Sequence, residues 1–148
     1  MSDTLFNAMN ISAAGMTAQR SRLDIVAENI ANAESTRTEQ GGPYRRRQVV
    51  FKSAEITPQF NDVFQSSFDS KGPKGVRVSS IIEDSRPFRE VYNPGHPDAD
   101  AKGMVKMPNV NSVEEMVDMQ SAARGFEANV TTMEAAKRMF QKSLELLR

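Results

Sequence analysis

The stretch from Asn111 to Leu147 constrains the fold more than any other. Apolar residues recur there at Met116, Met119, Ala123, Phe126, Val130, Met133, Phe140, Leu144 and Leu147, and Lys137 is the one polar residue on the line. The steps alternate between three and four, which is the seam of a coiled coil. Glu114, Glu115, Asp118, Arg124, Lys142 and Glu145 occupy the opposite face. Asn111 or Ser112 suits the N-cap, with Glu114 or Glu115 closing a capping box, and Pro108 bars the helix from starting earlier. Such a helix is about 55 Å long at 1.5 Å per residue and needs a partner of similar length.

The first thirty residues supply that partner. Met9, Met16, Leu23 and Ile30 repeat every seventh position, and Leu5, Ser12, Gln19 and Val26 fill the alternate seam positions. Polar residues on a seam lower stability but fix register, which gives Gln19 here and Lys137 opposite the role of register selectors. Ser2, Asp3 or Thr4 can cap a helix running from about Thr4 to Ala33. Gly15 lies inside it at a cost of about 1 kcal/mol relative to Ala. Its small neighbours Ser12, Ala13, Ala14 and Ala18 suit close approach of another helix.

Between the helices the periodicity changes. Gly41-Gly42-Pro43 and Lys71-Gly72-Pro73-Lys74-Gly75 read as turns, and Asn93-Pro94-Gly95-His96-Pro97 cannot be regular structure. Strands are expected at Arg45 to Phe51, Val76 to Ile82, Phe88 to Tyr92 and Gly103 to Met107. Phe60, Phe64 and Phe68, four apart, suggest a short helical face. The expected fold is α+β. Residues 1–36 and 109–148 form a terminal helical domain, and 37–108 a small, β-rich, loop-rich, outward-facing insert.

Composition narrows the function classes. Nineteen basic residues balance nineteen acidic ones, so there is no general attraction to nucleic acid or to an anionic membrane. No apolar run approaches the length of a membrane span. The absence of cysteine removes disulfides and thiolate ligands, and a lone histidine argues against a Ser–His nucleophile. His96, Asp98 and Asp100 could ligate a metal, but their Pro- and Gly-rich setting reads better as a turn. Tyr44-Arg45-Arg46-Arg47 reads as a strand edge or protein contact rather than a nucleic-acid site, and the paired carboxylates Glu83-Asp84 and Glu114-Glu115 as solvated or capping charge. No catalytic, cofactor or metal set is expected. Met9, Met16, Met116, Met119 and Met133 place an adaptable apolar side chain repeatedly on the seams, which suits surfaces that meet non-identical neighbours.

Several strings carry a resemblance. They are Ser12-Ala-Ala-Gly-Met-Thr-Ala-Gln-Arg20, Leu23-Asp24, Asn29-Ile-Ala-Asn-Ala33, Gly42-Pro43-Tyr44-Arg45-Arg46, Asn93-Pro94-x-His96-Pro97-Asp98, Pro108-Asn-Val-Asn111, Glu115-Met-Val-Asp-Met119 and Glu127-Ala-Asn-Val130. In these the chain resembles the bacterial flagellar axial proteins, the rod and hook family. Asn29, Ala31, Asn32, Pro108, Asn109 and Asn111 lie in the family strings. Ser35 stands where the family usually has Thr, and Met104 where Tyr is common.

The resemblance implies a structural component of the proximal part of the basal-body rod. It would be exported through the flagellum's own type III apparatus, polymerise helically with itself and other rod subunits, and carry motor torque across the periplasm without inserting into a membrane. On that reading Met9, Met16, Leu23, Ile30, Met116, Met119, Phe126, Val130, Met133, Phe140, Leu144 and Leu147 pack between subunits. The competing expectation is a soluble helical interaction module or export chaperone using the same stripes.

Overall fold

The computed structural model describes residues 2–39, 41–55 and 74–146. The expected Phe60, Phe64 and Phe68 face, the Lys71 to Pro73 turn and Leu147 lie outside them. Helix α1 spans Ser2–Ala31 and α2 spans Ser112–Leu146. Between them come β1 (Arg47–Glu55), β2 (Lys74–Glu83), β3 (Arg89–Tyr92) and β4 (Met104–Met107). β1 pairs with β2 and β3 with β4, in two two-stranded sheets. The architecture is α+β, with long terminal helices and a small strand-containing middle.

Local chemistry sets the helix ends. α1 contains no proline, and after Ala31 the chain turns on Asn32. The Asn32 Nδ2 donates to the Glu28 carbonyl (3.0 Å), and its Oδ1 accepts from Ser35 Oγ (3.0 Å). The Ser35 N–H also donates to the Asn32 carbonyl (3.1 Å), so hydroxyl and backbone close this turn together. At the start of α2 the Asn111 Oδ1 accepts the Val113 N–H (3.1 Å), which makes Asn111 the N-cap. No capping box closes it through Glu115, because that side chain is turned into the core.

The chain divides into two compact units. Of the described residues, unit 1 comprises 2–21, 51–55, 74–79 and 122–146, and unit 2 comprises 22–39, 41–50 and 80–121. Each helix contributes to both.

In unit 1 the interior is made of small side chains. Ser12, Gly15, Ala18, Ala122 and Ala136 are buried. A Cβ on Gly15 would stand 2.7 Å from the Asn129 Oδ1, and one on Gly125 would lie 3.2 Å from the Gln19 Cδ. Those approaches show the start of α1 packed on the later part of α2. Larger rings meet near the helix ends, where Phe6 and Phe140 lie edge to face with centroids 5.4 Å apart.

Unit 2 holds the larger apolar core of Ile25, Val26, Tyr44, Val105 and Val110, with Pro108 fully buried beside them. β3 and β4 run antiparallel, with Val91 opposite Val105 and Tyr92 opposite Met104. Their connection is a hydrogen-bonded turn series in which Asn93 N donates to Gly103 O (2.9 Å) and Asp100 N to Met104 O (2.9 Å). Gly103 has φ +76°, and a Cβ there would come within 2.9 Å of the Tyr92 ring, so glycine is required twice over.

The helix pairing follows the sequence expectation, and on α1 the expected seam positions Ser12 and Val26 are buried, but on α2 the seam within the chain departs from it. Its line on α2 runs through Glu115, Ala122, Asn129 and Ala136, one residue before Met116, Ala123, Val130 and Lys137. On α1 Gly15 and Asn29 are buried, whereas Met16 and Ile30 beside them are half-buried. Small side chains let helix axes approach closely, so the bulkiest residues are displaced to the flanks and outward.

Candidate functional site

The interior of unit 2 holds a buried polar cluster that joins both helices to the strands. Its centre is Glu115, whose side chain is 0% exposed. The Arg46 Nε donates to Glu115 Oε1 at 2.6 Å, and the Asn29 Nδ2 donates to Glu115 Oε2 at 2.9 Å. Arg46 is itself buried, and its two terminal nitrogens lie 3.6 Å from Asp84 Oδ2 and 3.6 Å from Asp118 Oδ2. The Arg22 guanidinium donates to Asp118 Oδ1 at 3.0 Å, and Arg86 Nε to Asp84 Oδ2 at 2.8 Å. Three carboxylates therefore meet three guanidinium groups, and the cluster is neutral. Ions taken out of water are tolerated only when so compensated.

Asn29 is the hub of the neutral bonds. Its Oδ1 accepts from the Tyr44 hydroxyl (3.0 Å) and the Arg47 N–H (3.0 Å), and its Nδ2 also donates to the Arg47 carbonyl (2.9 Å). One side chain at the end of α1 thus ties down a phenol, a strand backbone and a buried carboxylate. Asn109 does the equivalent work before α2. Its Oδ1 accepts the Arg46 N–H (2.8 Å), and its Nδ2 donates to the carbonyls of Asp84 (3.2 Å) and Arg86 (3.2 Å). The Asp84 N–H donates to the Arg46 carbonyl (2.8 Å).

The electrostatics follow from these contacts. The Arg86 backbone N–H, bonded to Asp84 Oδ1, holds the Asp84 carboxyl below its ordinary range against the opposing effect of desolvation, and the Arg86 side chain adds to the effect. Burial, then the nearby Glu28 charge, pushes the Tyr44 hydroxyl from 10.0 up to about 12. The hydrogen bond and charge of Glu28 raise Arg47 further above its already high value.

A group with a raised folded pKa stabilises the fold fully below the unfolded value, and that contribution is lost as pH rises through the folded one. Stability is therefore expected to fall by a one-proton slope between about pH 10 and 12. Tyr44→Phe is expected to flatten that slope in urea titrations across this range, at a cost of about 1 kcal/mol at neutral pH for the lost hydrogen bond. An unchanged slope would place the titrating group elsewhere.

The arginine run is spent inside the chain. Arg45 lies over the Phe88 ring at 4.4 Å and donates to the Asp84 carbonyl (3.0 Å), Arg46 sits in the cluster, and Arg47 pairs with Glu28 at 2.7 Å. Glu115 is neither solvated nor capping, and Asp118 does not lie on an outer face, contrary to the expectation for both. Their partners lie 86 and 96 positions away in sequence, a distance that no local pattern spans. What did mark them was the set of strings around Asn29, Tyr44, Asn109 and Glu115, all of which end in this cluster. His96 Nδ1 accepts the Asp98 N–H (3.1 Å) and Asp98 Oδ2 accepts from Thr36 Oγ1 (2.8 Å), so these residues build a turn. Among the described residues no group of three or more His, Asp or Glu side chains is arranged to hold a metal ion.

The remaining expected site residues divide by exposure. Met9, Met16, Leu23, Ile30, Met119, Phe126, Val130, Met133 and Phe140 are half-buried, whereas Lys137, Met116 (58% exposed) and Leu144 (52%) face outward. Gln19 packs over Gly125 in its own chain. Ala31 is exposed, and Asn32 belongs to the turn that closes α1. Phe6, Ile11, Val113, Val117 and Met139 are outward apolar residues that the seam pattern had not singled out.

Known proteins match both ends of this arrangement. A family model described as flagella basal body rod protein covers residues 9–37, which include Asn29. A second, flagellar basal body rod FlgEFG protein C-terminal, covers residues 101–146, which include Asn109 and Glu115. The class is thus that of the flagellar rod proteins. The flagellar basal-body rod protein FlgC of Borreliella burgdorferi is 45% identical, over 97% of this chain and 97% of its own length. That of Bacillus subtilis is 44% identical over 97% and 98%, and that of Escherichia coli O157:H7 42% over 96% and 97%. The chain belongs to the FlgC family of flagellar basal-body rod proteins, and is a structural component of the rod of the basal body.

Proposed function

We propose that this chain polymerises helically with itself and with other rod subunits, and that the polymer transmits motor torque. The terminal helices form the inner layer and the insert, residues 37–108, faces outward. The role is mechanical, with no catalytic step. The chain reaches its site unfolded through the flagellum's own export apparatus and folds as it docks on subunits already in place.

The observation that carries this reading is the inversion of the helix faces. Small and polar residues fill the seam within the chain in unit 1, while Phe6, Ile11, Val113, Met116, Val117, Met139 and Leu144 are exposed. Large apolar side chains grouped on outward helix faces mark surfaces that other proteins cover. Of the residues expected to pack between subunits, Met116 and Leu144 are the most exposed, and they report on assembly without disturbing the chain's own interior. Phe140, by contrast, has a ring partner inside the chain.

The test is Met116→Asp/Leu144→Asp in cells lacking the parental chain. The variant is expected to be secreted but missing from detergent-washed hook–basal bodies by mass spectrometry, with motility lost. Incorporation at the parental level with normal swimming would overturn the proposal.

A further inference from the structure

Two side-chain amides and two glycines in unit 1 form a reciprocal arrangement. Asn129 on α2 covers Gly15 on α1, and Gln19 on α1 covers Gly125 on α2. Each glycine lies four residues before the amide on its own helix, so the two contacts are related as in an antiparallel pair. Neither glycine tolerates a side chain without displacing the amide above it. A Cβ on Gly15 would meet the Asn129 Oδ1, Cγ and Nδ2 at 2.7, 2.9 and 2.9 Å, and one on Gly125 would meet the Gln19 Cδ and Nε2 at 3.2 and 3.3 Å.

In the rest of this interior the Phe6–Phe140 ring pair is specific to one register, but the small side chains are not. Ala18, Ala122 and Ala136 differ in nothing that a shift of one heptad would alter. Displaced by seven residues in one direction, α2 would bring Thr132 to Gln19 and Ala136 to Gly15. Displaced in the other, it would bring Ser12 to Gly125 and Ala8 beneath Asn129. Only the native register gives each amide a glycine to lie on. Gln19 also carries a penalty that a residue serving stability alone would not. Its Oε1 is buried and accepts no hydrogen bond among the described residues. Polar seam residues of this kind trade stability for a unique pairing.

We infer that this amide–glycine clasp fixes the axial register of the two helices in unit 1, and so sets the spacing of the outward residues Phe6, Ile11, Met139 and Leu144. A slip of one heptad preserves which faces point outward but moves them by about 10 Å along the axis. Gln19 is thereby a positioning residue for its own chain. The inference concerns the folded chain itself and does not rest on the rod reading.

The chain has no cysteine, so introduced pairs give a clean readout. Positions 8 and 136 lie one heptad beyond the clasp along each helix, and 143 one heptad further. Ala8→Cys/Ala136→Cys is expected to form an intramolecular disulfide in the full chain, and Ala8→Cys/Ser143→Cys is not. Adding Gln19→Ala/Asn129→Ala is expected to lower the ratio of native to slipped cross-link at least tenfold while circular dichroism shows the helices retained. Gly15→Ala alone is expected to lower the native yield, and Asn129→Ala added to it to restore the yield, because the smaller side chain makes room for the new methyl. An unchanged ratio in the Gln19→Ala/Asn129→Ala chain would overturn the inference. So would loss of helix in that chain, which would mean that the clasp holds the fold rather than choosing its register.

Discussion

Glu115→Ala is expected to destabilise unit 2 by about 3 kcal/mol, a large share of the 5–15 kcal/mol typical of a folded domain. Truncation removes the 2.6 Å partner of Arg46 and leaves a buried guanidinium with two carboxylates at 3.6 Å. Those two remaining charges are why the figure is set at the lower end of the range for breaking a buried pair. Removing both charges should be milder. In Arg46→Met/Glu115→Leu, Asp118 keeps Arg22 and Asp84 keeps Arg86, so no ion is stranded. The double variant is expected to lie within about 1–2 kcal/mol of the parent, since apolar replacement of a whole buried pair is often near neutral. The chain has no tryptophan, and Tyr44 donates into the cluster, so tyrosine fluorescence during urea titration reads this unit. A single variant within about 1 kcal/mol of the parent would show that water reaches Glu115 and that the cluster is no keystone.

Asn29→Leu is expected to cost about 4 kcal/mol, although the two side chains have nearly the same shape. Four hydrogen bonds of 2.9–3.0 Å end on this amide, and leucine replaces none of them. Glu115 Oε2 and the Tyr44 hydroxyl are enclosed and lose a partner outright, at about 1–3 kcal/mol each. The Arg47 backbone groups are nearer the surface and recover part of theirs from water. Asn29→Asp separates the contributions. It keeps the acceptor for Tyr44 and Arg47 but sets a second carboxylate against Glu115. One of the two must then bind a proton more tightly than in the unfolded chain, so this variant is expected to gain stability as pH falls from 7 towards 5 while Asn29→Leu does not. Parallel pH profiles for the two would show that the amide donor to Glu115 contributes little.

The elements were legible in the sequence because periodicity and punctuation report them directly. The three-four alternation after Asn111, the breakers around Pro94 and the short β-branched runs each name their own conformation. The cluster was not legible, for two physical reasons. One helical residue turns the side chain by about 100°, so choosing Met116 rather than Glu115 as the inward position followed hydrophobicity and pointed to the wrong line. A buried charge also looks like any other charge until its partner is known. Glu115 beside Glu114 in a first turn matches helix-capping chemistry well, and only Asn29 and Arg46 reveal otherwise. The glycines were the better guide. Gly15 among small residues signalled close approach, and the structure supplies Asn129 as what approaches.

The cluster also has a schedule. Asn29 meets Glu115 across 86 positions and Arg22 meets Asp118 across 96. A ribosome delivers α1 long before the start of α2, so for most of synthesis Asn29 has no carboxylate to close on and Arg46 lacks its 2.6 Å partner. Closing so long a loop defers the Glu115 and Asp118 contacts to the end of the chain, and topologies rich in such distant contacts fold more slowly. Closure of the cluster is thus expected only once the start of α2 has been made, and until Glu115 engages this unit has only its more local contacts to hold it.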